Sequence, residues 1–169
     1  MKRIFFLAFV AISFFNACAQ SDKSKRPSPP AKASETTTNG ITITIDYSQP
    51  AVKGRTIGVD IAPYGQVWRT GANEATIFEI NKNAKVEGQP LAAGKYGLYS
   101  IPGENEWVII FNKTWEGWGT RYQESDDVLR VKVKPGKAQK FTERMTFEIN
   151  KSGKVSLIWG DQQVDFTVQ

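Results

Sequence analysis

A chain of 169 residues with 22 Lys and Arg, 17 Asp and Glu, no His and a single Cys is one domain in size, long enough to close one core. The lack of histidine excludes the Ser-His relay, the usual general base and most zinc sites, and one cysteine excludes an internal disulfide framework. Without Lys2 and Arg3, which belong to the leader, the balance is 20 basic against 17 acidic residues, or +3, too small a bias to argue for nucleic acid as a partner.

Lys2 and Arg3 precede an apolar run of twelve residues, Ile4 to Phe15. At 1.5 Å per residue such a helix reaches about 18 Å and cannot cross a ~30 Å hydrocarbon layer, so residues 1–17 read as a signal peptide. Ala17 sits directly before Cys18, as in a loose lipobox, although Asn16 is more polar than usual there. Cys18 is therefore the expected lipid-attachment residue. Ordinary cleavage after Ala19 is the alternative, because Ala17-Cys18-Ala19 fits the small-x-small rule. The lipid reading implies a lipoprotein of the bacterial cell envelope facing the periplasm, on a membrane such as the outer membrane, and held by more than one acyl chain. Residues 18–37 are rich in Ser, Thr, Lys and Pro without apolar periodicity, which predicts a flexible tether, stiffened locally by Pro27, Pro29 and Pro30. Its Lys23, Lys25, Arg26 and Lys32 suit acidic head groups or plain solvation.

Strand signals fill the remaining residues, 38–169, which are expected to form a single domain. Ile41 to Tyr47 alternates, with the isoleucines and Tyr47 on one face and Thr42, Thr44 and Asp46 on the other. Further strands are predicted over residues 75–80, 84–87, 95–101, 107–112, 128–133, 140–142, 145–150, 154–159 and 163–168. Turn residues separate them at Gly88, Ala93-Gly94, Pro102-Gly103, Pro135-Gly136, Asn150 to Gly153 and Gly160-Asp161. Many short strands and no helical window predict an all-β fold, an antiparallel β-sandwich of immunoglobulin- or transthyretin-like type, with an open β-barrel as the alternative. Phe78, Phe111, Phe141, Phe147 and Phe166 are the expected aromatic core.

Two stretches concentrate chemistry. In YGQVWRTGANEAT (Tyr64 to Thr76), Val67-Trp68 reads as a strand end and Thr70 to Asn73 as a turn that reverses the chain, with Gly71 and Asn73 accepting positive φ. Reversal brings Arg69 to Glu74. Either these two lock a hairpin over a buried Trp68, or Trp68, Arg69, Asn73 and Glu74 present hydrogen-bonding groups and a flat ring to a ligand. The second stretch, NKTWEGWGTRYQESDD (Asn112 to Asp127), is long for a hairpin and carries Trp115, Trp118 and Tyr122 among charged residues. Such a loop binds a sugar on its indoles, or folds back so that its tryptophans cap the sandwich.

The run YGQVWRTGANEAT resembles the signature of a bacterial family, domain of unknown function 2911, and four further segments fit in order: Arg26 to Ser34, Ile43 to Arg55, Leu91 to Lys113 and Asp126 to Val133. The resemblance implies an exported β-rich domain, often a lipoprotein, and brings no reaction, substrate or catalytic residue. Because it begins at Arg26, it also implies that RPSPPA packs along the domain.

No catalytic residue, metal site or cofactor is predicted. The expected function is a non-catalytic ligand-binding or interaction module that engages a glycan, a peptide or an envelope protein through Trp68, Arg69, Asn73 and Glu74, with Trp115 and Trp118. A carboxylate-dependent polysaccharide hydrolase, pairing Glu74 or Glu79 with Glu116, is the alternative.

Overall fold

Ten strands follow one another in the computed structural model, which describes residues 22–169. They are β1 (Pro30–Thr36), β2 (Thr42–Ser48), β3 (Ile77–Ile80), β4 (Ala84–Val86), β5 (Gln89–Leu91), β6 (Gly94–Ile101), β7 (Trp107–Asn112), β8 (Asp127–Val133), β9 (Pro135–Ile149) and β10 (Lys154–Thr167). The signal peptide and Cys18 lie outside the described residues.

One layer is a six-stranded antiparallel sheet in the order β1-β2-β3-β6-β7-β8. Its inner face follows directly from alternation: Ile43, Ile45 and Tyr47 of β2, Phe78 and Ile80 of β3, Leu98 of β6, and Trp107, Ile109 and Phe111 of β7 are all buried.

The second layer is built on β9 and β10. β10 doubles back at Gly160-Asp161, where Gly160 has φ 61°. The N–H of Val168 donates to the carbonyl of Gly153 at 2.9 Å, and Lys154 Nζ lies 3.3 Å from the Asp165 carboxylate; in a straight strand residues 153 and 168 would stand ~50 Å apart. β9 follows the bend on its outer side, where a step of five residues along β9, from Thr142 to Lys137, matches a step of two along β10, from Gly160 to Gln162. The β4–β5 hairpin joins beside the end of β10 through the Val86–Val168 bridge, and Ala51 bridges Arg144 on β9.

The layers meet on aromatic rings. Phe78 and Phe111 touch edge to face at 4.9 Å, and Phe166 of β10 stands 6.3 and 6.1 Å from them. The Tyr47 ring meets Phe147 at 4.9 Å, and its hydroxyl oxygen accepts the Phe147 N–H. Fully burying one such side chain stabilises the fold by about 1.5–3 kcal/mol, so these rings set the spacing of the two layers. The fold is an antiparallel β-sandwich, and among the described residues no sheet closes into a barrel.

Three expectations are corrected. Residues 30–36, assigned by composition to the tether, form β1 in unbroken register with β2 from Pro30↔Ser48 to Thr36↔Thr42; Ala31 and Ala33 supply just enough apolar surface to pack on the core. Phe141 is 62% exposed, because it lies on the outer path of β9 around the bend. Pro135-Gly136, expected as a turn, begins β9 and pairs with Val164 and Gln163.

Candidate functional site

Trp68 forms an antiparallel bridge with Ser100, and Ile77 pairs with Gly97, so the chain on both sides of the Thr70–Ala75 stretch runs along the same strand, β6, in the same direction. The expected reversal therefore does not occur. Residues 69–75 loop outward from the sheet and return. Thr70 and Asn73, and not Gly71, take the positive φ values of 49° and 60°. A β-branched residue in that region is strained, and Thr70 is held there by two hydrogen bonds. Its hydroxyl donates to Ser100 Oγ at 3.0 Å and its carbonyl accepts from Thr76 Oγ1 at 2.9 Å, while a Cβ on Gly71 would lie 2.6 Å from that same Thr76 oxygen. Gly71 is needed for close approach.

The long loop after β7 folds back over the outer face of the same sheet. Asn112, fully buried, fastens both its ends: Nδ2 donates to the Gln123 carbonyl at 2.9 Å and to Asp127 Oδ1 at 2.7 Å, and Oδ1 accepts the Thr114 N–H at 2.8 Å. Gly97 lets the loop lie flat, since a Cβ there would come within 2.6 Å of the Thr114 carbonyl. Tyr122 packs on Tyr99 with ring centroids 5.0 Å apart. Its hydroxyl donates to Asp127 Oδ2 at 2.8 Å and accepts from Arg130 Nη2 at 2.8 Å. Burial, followed by the Asp127 carboxylate beside it, pushes the Tyr122 phenol up to about 12, so it remains protonated at physiological pH.

These two stretches, whose bridged residues Glu74 and Trp118 are 44 positions apart, become one surface. Glu74 bridges Trp118, the Ala75 N–H donates to Gly117 O at 3.1 Å, and the Gly119 N–H donates to Asn73 O at 3.3 Å. At the junction Trp118 is 50% exposed. Trp115 is half-buried, with Lys95 Nζ 5.3 Å from its ring centre. Trp68 is turned inward: its ring stacks on Trp159 at 5.3 Å and meets the edge of Trp107 at 6.3 Å.

The expected Arg69–Glu74 pair is replaced by a distant one. Arg26 Nη1 reaches both Glu74 oxygens, at 2.9 and 3.0 Å, and Lys23 Nζ lies 3.1 Å from Oε1. Asn73 Nδ2 donates to the Ser28 carbonyl at 3.0 Å, and Arg144 Nη1 to that of Pro27 at 3.0 Å. The residues just before β1 are thus laid across the edge of the site, in keeping with the resemblance that begins at Arg26. Burial alone would raise the Glu74 carboxyl, but the hydrogen bonds from Arg26, its own N–H and Lys23 outweigh it and hold the group at about 2. Arg69 is left without a carboxylate. A Cβ on Gly119 would stand 2.5 Å from Arg69 Cδ, so that glycine gives way to the arginine stem, and Arg69 Nε is buried without a hydrogen-bond partner.

With the two candidate stretches placed, the sequence profile of one family, described as a protein of unknown function (DUF2911), matches residues 28–168. The chain belongs to this family. No curated protein and no solved structure matches it. In this DUF2911 domain the residues missed by sequence reasoning are Lys23, Arg26 and Ser28 of the amino-terminal segment and Asn112, Tyr99 and Arg130 beneath the loop. Only the start of the family resemblance at Arg26 signalled the first group. Elsewhere on the domain, a groove of about 760 Å³ on the outer face of β9 and β10 is lined by Thr142, Thr146, Glu148, Lys154, Ser156 and Gln163. It offers no aromatic ring, and Lys154 and Gln163 both spend their polar groups on Asp165. Among the described residues no three acidic side chains gather to hold a metal ion.

Proposed function

We propose that this DUF2911 domain is a non-catalytic binding module, lipid-anchored through Cys18 in the bacterial cell envelope and facing the periplasm, which takes a glycan on the surface formed by residues 69–75 and 113–122. The observation that carries the reading is Trp118. Large rings on a monomer normally find cover, yet this indole is half exposed at the point where two buried-anchored loops are hydrogen-bonded together. A strained Thr70 held by side-chain contacts is the kind of backbone cost that persists at binding surfaces. Trp115 borders the surface, and Asn73 and Glu74 hold its edge to the amino-terminal segment. Trp68 supports it from below.

The hydrolase alternative is disfavoured by the state of Glu74, one of the two carboxylates that could partner Glu116, in the role of general acid. A carboxyl held at about 2 is ionised throughout the physiological range and cannot donate a proton to a leaving group, and its oxygens are occupied by Arg26 and Lys23. Glu79 is held near Lys95, at 3.7 Å.

A screen of the full chain against envelope glycans and peptidoglycan fragments, repeated with Trp118→Ala, tests the reading. Binding that disappears in the variant, with an unchanged unfolding midpoint, is the expected result. Binding unaffected by Trp118→Ala, or turnover of a bound saccharide, overturns it.

A further inference from the structure

Six arginines lie in the described residues. Arg26 and Arg130 are paired with carboxylates, and Arg55 and Arg144 donate to backbone carbonyls. Arg69 and Arg121 alone among these make neither a side-chain hydrogen bond nor an ion pair with any described residue, and both lie against the same short stretch of loop. A Cβ on Gly117 would stand 3.6 Å from Arg121 Nη1, and one on Gly119 would strike the Arg69 stem at 2.5 Å. Between those glycines is Trp118, the half-exposed indole. The guanidinium of Arg121 and the stem of Arg69, both uncommitted side chains, therefore lie against the loop residues on either side of the half-exposed Trp118.

A guanidinium with part of its donor set buried loses hydration and normally recovers it from a carboxylate or a carbonyl. Arg69 recovers nothing at Nε, and the nearest acid in sequence, Glu74, is already neutralised by Arg26 and Lys23. Lys95 covers Trp115, so Trp118 is the available platform. We infer that the ligand is an acidic saccharide, whose carboxylate is taken by Arg69 and Arg121 while the face of a sugar ring lies on Trp118. This rests on the binding reading above and narrows it. A saccharide fits better than a peptide because the surface is made by the loops 69–75 and 113–122 and not by a strand edge along which an extended peptide would add.

The test is isothermal titration of the full chain with oligomers of glucuronate, galacturonate and mannuronate, with the same oligomers after reduction of their carboxyls to alcohols, and with hexaglutamate. At least one acidic oligomer is expected to bind, and carboxyl reduction is expected to weaken it about tenfold or more, as loss of a charge-assisted contact does. Arg121→Ala should cause a similar loss for the acidic oligomer and no change for its reduced form. Arg121 is exposed, so this variant separates recognition from folding, which Arg69→Gln alone would not. If reduced and acidic oligomers bind equally, the inference falls while the binding reading stands. If hexaglutamate binds and no saccharide does, the ligand class is wrong. If none of these ligands binds, and the wider glycan screen is also empty, both readings fall.

Discussion

Replacing Glu74 by Gln removes one negative charge from the contact between the amino-terminal segment and the loop surface, and its effect can be worked out in advance. The Glu74 carboxyl lies at about 2 in the fold against 4.5 for the free group, nominally about 3 kcal/mol at 1.36 kcal/mol per unit. Its side chain is 34% exposed and that of Lys23 54%, so solvent screening reduces the usable part to roughly 1 kcal/mol. Because the folded value lies below the unfolded one, this stabilisation is complete above about pH 4.5 and is lost as the pH falls towards 2. Urea denaturation of wild type and Glu74→Gln between pH 2 and 7 isolates it, since every other carboxylate titrates in both proteins. The two curves should converge at the acid end and separate by roughly 1 kcal/mol at pH 7. A cycle with Arg26→Ala should show coupling of about 0.5–1 kcal/mol. Parallel curves across the whole range, or zero coupling, would refute the clamp.

Three further outcomes follow from the same geometry. Asn112→Ala strands the Thr114 N–H, the Gln123 carbonyl and Asp127 Oδ1 around a fully buried site; a loss of about 2–4 kcal/mol is expected in thermal or urea unfolding, and a loss below ~0.5 kcal/mol would show that the loop needs no such fastening. A chain beginning at residue 38 lacks β1 and bares the edge of β2; it should unfold at lower denaturant and aggregate, visible by light scattering, and wild-type behaviour would make β1 dispensable. Cys18→Ser should move the protein from the membrane to the soluble fraction, and continued sedimentation with membranes would remove the lipid anchor from the proposal.

Where hydrophobic alternation is strong, the sequence was a sufficient guide. β2 and the arms of β10 on either side of Gly160-Asp161 lie where period-two patterning and turn chemistry put them. It was a poor guide to β1, whose inward positions are Ala31, Ala33 and Glu35. Two alanines are too little apolar surface to distinguish a strand from a tether, and β1 forms because β2 offers it a free edge. The pairing of Glu74 failed for a related reason. Five positions separate it from Arg69 and 48 from Arg26, and local spacing favours the nearer partner only if the chain reverses between them. Thr70 at φ 49° turns the loop outward, a conformation that the sequence assigned to Gly71, and the nearer arginine is carried away from the acid.

The outer face of the six-stranded sheet explains why both candidate stretches are needed together. In a two-layer sandwich that face would meet water, yet Tyr99 and Ile110, register partners on β6 and β7, are 1% and 0% exposed. A third, irregular layer covers them, made by the loop from Lys113 to Gln123 and by residues 69–75. Neither loop is self-sufficient: one is fastened by Asn112, the other by Thr70 and Thr76, and each donates backbone hydrogen bonds to the other. The amino-terminal segment completes the layer through Arg26 and Ser28. Arg26 is eight positions from Cys18, a distance of at most about 29 Å of extended chain. The lipid anchor proposed at Cys18 would hold this surface within about one bilayer thickness of the membrane, so that the proposed ligand would be met close to the lipid surface and not out in the bulk of the envelope.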